Sequence, residues 1–123
     1  EGWRWVLAIG WASHIPALLV LADAANSFGK PTWWLNDAVR ATWVSPAVFV
    51  LPLLVVCAAA ANWRHWPFAA LTGVIAAAIS AAVDASRSPA VALGEAALAA
   101  AGALVSVACL AGRVRRATPS TTG

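Results

Sequence analysis

The sequence predicts an all-α integral membrane protein, an antiparallel bundle of four transmembrane helices with a short interfacial helix in the first loop. Hydrophobic residues make up 62% of the 123 residues and charged residues only 11%. A soluble domain carries about 25% charged residues, so a soluble fold of this size could not cover so much apolar surface. The apolar residues fall into four runs, each close to the length that crosses a bilayer. Seven of the eight tryptophans lie near the ends of these runs, as an aromatic belt requires.

The four predicted spans are approximately residues 5–22, 42–61, 67–83 and 89–112, all in a single domain. Backbone groups in lipid must be satisfied within their own segment, so runs of this length are helices rather than strands. Two of the spans contain prolines that remove a backbone donor and predict a kink, at Pro16 and Pro52.

The ends of the spans are also marked. The turns at residues 62–66 and 84–88 are short, so the helices that they join are antiparallel neighbours. The only long connection is 23–41, and the apolar residues of 32–43 fall on one side of a helix, which predicts a helix lying in the interface. Gly112 predicts the end of the fourth span, and 113–123 is expected to be a basic, flexible cytoplasmic tail.

Lysine and arginine predict the orientation of the chain. Five arginines lie on the side of the two termini, namely Arg4, Arg64, Arg113, Arg115 and Arg116, against Lys30, Arg40 and Arg87 on the other side. This excess predicts a multi-pass protein of the bacterial inner membrane with both termini in the cytoplasm. The basic tail indicates anionic lipid headgroups rather than nucleic acid as its partner. The sequence contains no methionine, so we expect the natural start to lie upstream.

Small residues recur on one face of each of the last two spans. They are Gly73, Ala77 and Ala81 in the third span and Ala92, Ala99, Gly102 and Ser106 in the fourth. Such faces let two helices approach closely, and close packing is the main source of association energy in lipid. The alternative is that an alanine-rich composition produces small faces by chance, and a second small face on the fourth span favours this alternative.

Polar side chains inside the spans mark a candidate site, because an ionisable group there costs roughly 2.5–3.5 kcal/mol. The candidates within the spans are Glu95, His14, Ser80 and Trp11, and Asp23 and Asp84 join them at the outer ends of the first and third spans. Glu95 is the principal one, and its depth is close enough to that of His14 for a contact if their helices are adjacent. Such a pair would relay protons or hold a cationic substrate. The alternative is that Glu95 is a protonated packing residue or pairs with another subunit.

No cofactor or metal is predicted. A haem between helices usually needs two axial ligands. His14 lies near the middle of the first span, whereas the second histidine, His65, lies in a turn at the cytoplasmic surface, so one haem iron could hardly reach both. Cys57 and Cys109 form no metal or redox motif and are interpreted as packing residues. Familiar catalytic motifs are absent from the sequence.

The function favoured by these patterns is that of a non-catalytic subunit or accessory factor of a larger membrane complex. Its expected partners are the lipid bilayer and other membrane subunits or further copies of itself. One alternative is a small oligomeric proton-coupled transporter that uses Glu95, with His14, Trp11 and Ser80 along the path. Another is an enzyme acting on a lipid or hydrophobic substrate, with Asp23, Asp84 and Glu95 as acid and base groups.

Overall fold

A computed structural model describes residues 2–36 and 42–117, and within these residues the chain is helical and contains no strand. The helices are α1 (Gly2–Ala12), α2 (His14–Ser27), α3 (Val44–Ala47), α4 (Val50–Ala60), α5 (Trp66–Ala85) and α6 (Pro89–Ala117). Three helical segments are long and apolar enough to cross a membrane, namely Gly2–Ser27, Trp66–Ala85 and Pro89–Arg115. The predicted all-α class is therefore confirmed, and the chain has the character of a helical membrane protein.

The second predicted span corresponds to a shorter apolar segment, Val44–Ala60, which is made of α3 and α4. Because this segment does not reach the length of the other three, the count of four spans stays a prediction. The exposed surface agrees with a lipid environment. Large apolar side chains such as Val20, Leu93 and Leu104 are 69%, 72% and 71% exposed. Lipid tails are the surroundings in which such a surface is stable.

Both helix interruptions fall where the prolines predict them. The first segment is interrupted at Ser13, between α1 and α2, ahead of Pro16. The second segment is interrupted at 48–49, between α3 and α4, ahead of Pro52. A proline has no N–H, so the carbonyls one turn earlier, of Ala12 and Val48, lose the donor that a regular helix would supply. The neighbouring helical hydrogen bonds persist, since Ser13 donates to the Ile9 carbonyl and accepts from the Ala17 N–H.

The interruptions divide the bundle into two halves. In the half that contains the chain ends and the 61–65 turn, here called the terminal end, α1 packs against both α4 and α6. The main buried cluster lies in this half and includes Leu7, Trp11, Val55, Trp66 and Cys109. In the other half, called the loop end, α2 packs against α6 and α3 against α4, without extensive contact between α2 and α3 in the described chain. The most extensive helix pair is α5 with α6.

Glycines allow a tryptophan into the centre of the terminal-end cluster. A Cβ atom added at Gly73 would lie 2.7 Å from the Trp11 ring, and one added at Gly102 would lie 3.1 Å from it. Both glycines of the predicted small-residue faces thus make room for Trp11 of α1. Among the other residues of those faces, Ala81, Ala92 and Ala99 are buried, Ala77 is half-buried, and Ser106 accepts a hydrogen bond from Trp11.

Two features differ from the predictions at the ends of the spans. Residues 32–36 form turns instead of the start of an interfacial helix, and 37–41 lie outside the described residues. Gly112 does not end α6, which continues to Ala117 and so takes up the first part of the predicted tail. Within the helix, Gly112 is a site of close approach, since a Cβ there would lie 2.5 Å from the Trp3 ring.

Candidate functional site

An apolar cavity of about 410 Å³ lies toward the loop end of the bundle, with side chains from α1–α6 and the first loop around it. Its wall consists mostly of aliphatic and aromatic groups, among them Leu18, Trp43 and Leu51. The cavity lies in the half of the described chain where α2 and α3 have no extensive contact, and Val48 at the second interruption is among its lining residues. Polar groups enter the wall at only a few positions, including His14, Ser80 and Glu95.

Glu95 is the most enclosed charged residue of this cavity, with only 2% of its surface exposed. Its Oε1 atom accepts hydrogen bonds from the Trp34 indole at 3.2 Å and from the Ser80 hydroxyl at 3.1 Å. Its Oε2 atom is buried and has no hydrogen-bond partner in the described part of the chain. A buried carboxylate oxygen without a partner is expensive, about 1–3 kcal/mol or more for a charged group, and such atoms call for an explanation.

The first loop supplies one of the donors to this carboxylate. Trp34 is 1% exposed and packs edge-on against the Phe49 ring, with 5.5 Å between ring centroids. Its backbone carbonyl accepts a hydrogen bond of 2.6 Å from the Ser45 hydroxyl. The loop is thus fixed to the start of the α3–α4 segment on one side and to Glu95 of α6 on the other.

A second set of contacts fixes the loop to α5. The Trp33 backbone N–H donates to both carboxylate oxygens of Asp84, at 3.1 and 3.3 Å, and its indole N–H donates to the Ser80 hydroxyl at 2.8 Å. The Arg87 guanidinium also approaches Asp84, at 3.9 Å. Asp84 therefore holds the loop backbone, whereas Ser80 links Trp33 to Glu95.

His14 lies in the wall between two backbone carbonyls. Its Nδ1 atom is 3.0 Å from the Gly10 carbonyl oxygen and its Nε2 atom 2.8 Å from that of Leu98. A carbonyl only accepts hydrogen bonds, and a neutral imidazole donates from one nitrogen, so both contacts are hydrogen bonds only when the ring carries two protons. The ring stacks on Trp11 at 4.8 Å between centroids.

The chain matches no protein-family model, no curated protein and no solved structure. Its function must therefore be argued from its own residues. Chemically, the site offers the Glu95 carboxyl group, the His14 ring, the Ser80 hydroxyl and the rings of Trp11, Trp33 and Trp43 in a wall that is otherwise apolar. A wall of this chemistry suits a hydrophobic molecule that carries a hydrogen-bond donor or a positive charge.

Four of the six residues predicted as a polar site line this one cavity, namely Trp11, His14, Ser80 and Glu95. His14 and Glu95 have different hydrogen-bond partners and are not bonded to each other. Asp84 holds the loop beside the cavity, and Asp23 is exposed at the end of α2.

Sequence reasoning missed the roles of Trp33 and Trp34, which were placed in an interfacial helix. A signal was present in the sequence, because a carboxylate within a span needs donors and an indole N–H usually finds a partner when it is buried. Two adjacent tryptophans in the only long connection were available as those donors. Their pairing with α5 and α6 depends on how the loop folds back, which local patterns do not specify.

Proposed function

We propose that this protein is a small membrane transporter that binds hydrophobic ammonium compounds in the cavity and exchanges them for a proton on Glu95. The observation that supports this proposal is the buried Glu95 carboxyl group, which has one oxygen held by Trp34 and Ser80 and the other without a partner, beside an apolar cavity of about 410 Å³. An ammonium group brought into the cavity would supply the missing donor.

The chemistry of the wall matches such a ligand. Aliphatic side chains accept its hydrocarbon part, and the faces of Trp11, Trp33 and Trp43 attract a positive charge. In the exchange, the ammonium group enters as the Glu95 carboxyl group releases its proton, and release of the ligand accompanies reprotonation. The net charge of the site is the same before and after each step, so no unpaired charge is left in the apolar interior.

The proposal includes the topology of the chain. The α3–α4 segment forms the second of four crossings, and both termini lie in the cytoplasm, as the distribution of arginines predicts. The loop that covers Glu95 then faces the opposite side of the membrane, so that movement of Trp33 and Trp34 opens the cavity outward.

Glu95→Gln tests the exchange in proteoliposomes that contain ethidium and carry a proton gradient. Glutamine keeps an acceptor oxygen for Trp34 and Ser80 but cannot release a proton, so we expect the variant to fold and to lose gradient-driven transport. Asp23→Asn removes an exposed carboxylate at the same end and is expected to transport like the wild type. Transport by Glu95→Gln at the wild-type rate would refute the proposal, and misfolding of this variant would make Glu95 a structural residue.

The role of an accessory subunit stays a prediction, since no observation in the described residues bears on a partner. Native gels in mild detergent test it, and a chain that migrates as a monomer without a co-purifying protein would contradict it. An enzyme that uses three converging carboxylates finds no support, because Asp23 is exposed and Asp84 is engaged by Trp33 and Arg87.

A further inference from the structure

A second cavity, of about 390 Å³, lies at the terminal end of the bundle, far along the helices from Glu95. Three arginines from separate parts of the chain line it: Arg4 of α1, Arg64 of the 61–65 turn and Arg113 of α6. Three tryptophans, Trp3, Trp63 and Trp66, line it as well. This cavity thus combines a concentration of positive charge with the aromatic side chains that favour a membrane–water boundary.

Within residues 2–36 and 42–117, no acidic side chain balances the charges of these arginines, and the Arg4 guanidinium lies 5.2 Å from the centroid of the Trp5 ring. No residue lining the cavity is acidic, and none of the three arginines forms an ion pair within residues 2–36 and 42–117. The Nε atom of Arg4 is buried there without a hydrogen-bond partner. The Arg113 guanidinium donates a hydrogen bond of 3.4 Å to the backbone carbonyl oxygen of Arg64, which is a neutral acceptor.

We propose that this cavity binds the phosphate of an anionic phospholipid headgroup. Guanidinium groups present paired N–H donors that match phosphate oxygens, and a phosphate placed among the three arginines would relieve their mutual repulsion. The site does not depend on Glu95 or on transport, and it shares no lining residue with the first cavity.

A phospholipid and free phosphate offer the same anionic oxygens to the arginines. The apolar groups beside the arginines favour the phospholipid as the ligand. Much of the remaining wall is apolar and consists of Leu7, Ala59 and the three tryptophans. Leu7, Ala59 and Trp66 are already buried in the main cluster, whereas Trp3 and Trp63 are 40% and 53% exposed. A free phosphate would leave these two exposed rings without a contact, whereas the glycerol and upper acyl chain of a lipid would cover them. The position at the end of apolar helices also places the cavity where headgroups lie.

Native mass spectrometry of the full chain in detergent tests this proposal by titration with phosphatidylglycerol, phosphatidylcholine and inorganic phosphate. We expect phosphatidylglycerol to bind most tightly. Because an arginine near anionic lipid contributes about a fivefold gain in affinity, Arg4→Gln and Arg113→Gln should each weaken this binding by about that factor. Arg113 is exposed, so its substitution leaves the fold intact even if Arg4→Gln does not.

Arg115→Gln is the matched control, since it removes the same charge from the same helix at an exposed residue outside the cavity. We expect it to leave the affinity for phosphatidylglycerol unchanged. Equal weakening by Arg115→Gln and Arg113→Gln would show diffuse attraction and overturn the site. Equal binding of the two lipids would also overturn it, and binding of inorganic phosphate as tight as that of phosphatidylglycerol would overturn its assignment to a lipid.

Discussion

The packing of Trp11 can be tested by adding one methyl group at Gly73. A Cβ atom there would lie 2.7 Å from the Trp11 ring, against 3.4 Å for the shortest ordinary contact, so the ring must retreat by 3.4 − 2.7 = 0.7 Å. The ring has little freedom to do so, because it is 1% exposed, donates to Ser106 at 3.1 Å and stacks on His14. Overpacking of this kind costs about 1–3 kcal/mol.

Gly94 provides a control at the same distance. A Cβ atom there would lie 2.7 Å from a terminal methyl of Leu21, which is half-buried and free to rotate away. The cost at Gly94 is therefore below about 1 kcal/mol, the range of a strained rotamer. Both substitutions gain the same helix propensity of about 1 kcal/mol, so the difference between the two variants reports packing alone.

Thermal unfolding in detergent, followed by tryptophan fluorescence, measures this difference. We expect Gly73→Ala to be about 1–2 kcal/mol less stable than Gly94→Ala, which corresponds to a Tm lower by several degrees. A Gly73→Ala variant that unfolds at or above the Tm of Gly94→Ala would refute the placement of the Trp11 ring between α5 and α6.

Two further substitutions test how the first loop is held. Trp34→Phe keeps an aromatic ring against Phe49 but removes the indole donor to Glu95. We expect the free energy of unfolding, measured in detergent, to fall by about 1–3 kcal/mol. An unchanged stability would show that this hydrogen bond is not formed. Asp84→Asn weakens the hydrogen bonds that the Trp33 backbone N–H donates to the Asp84 carboxylate. We therefore expect limited proteolysis to cut the first loop several times faster than in the wild type. Equal cleavage rates would contradict the role of Asp84 in holding the loop.

The helices and their breaks were predictable because they depend on local chemistry. Long apolar runs have to satisfy their own backbone in lipid, and Pro16 and Pro52 each remove a donor at a fixed place. The end of α6 was not predictable in the same way. Gly112 is as suitable for close approach to Trp3 as for a helix end, and only the packing of α1 against α6 distinguishes the two roles.

The sequence predicted which residues belong to the candidate site better than it predicted which atoms they contact. Glu95 and His14 stand out in any apolar span, and their similar depth brings both to one cavity. Each has one partner close in sequence, Ser80 for Glu95 and Gly10 for His14, and one distant partner. The distant partners are the Trp34 indole and the Leu98 carbonyl, which are 61 and 84 residues away. Such pairings are set by the return path of the loop and by which helices become neighbours, and no periodic pattern encodes either.

The two interrupted helices give the bundle unequal stiffness along its length. A helix bends most easily where backbone hydrogen bonds are missing, and the breaks at Ser13 and at 48–49 both adjoin the first cavity. On one side of these breaks α1, α4 and α6 are locked around a buried cluster, and on the other α2 and α3 are held by fewer neighbours. The more loosely packed halves of both interrupted segments therefore surround the first cavity, and the buried cluster lies at the opposite half of the bundle.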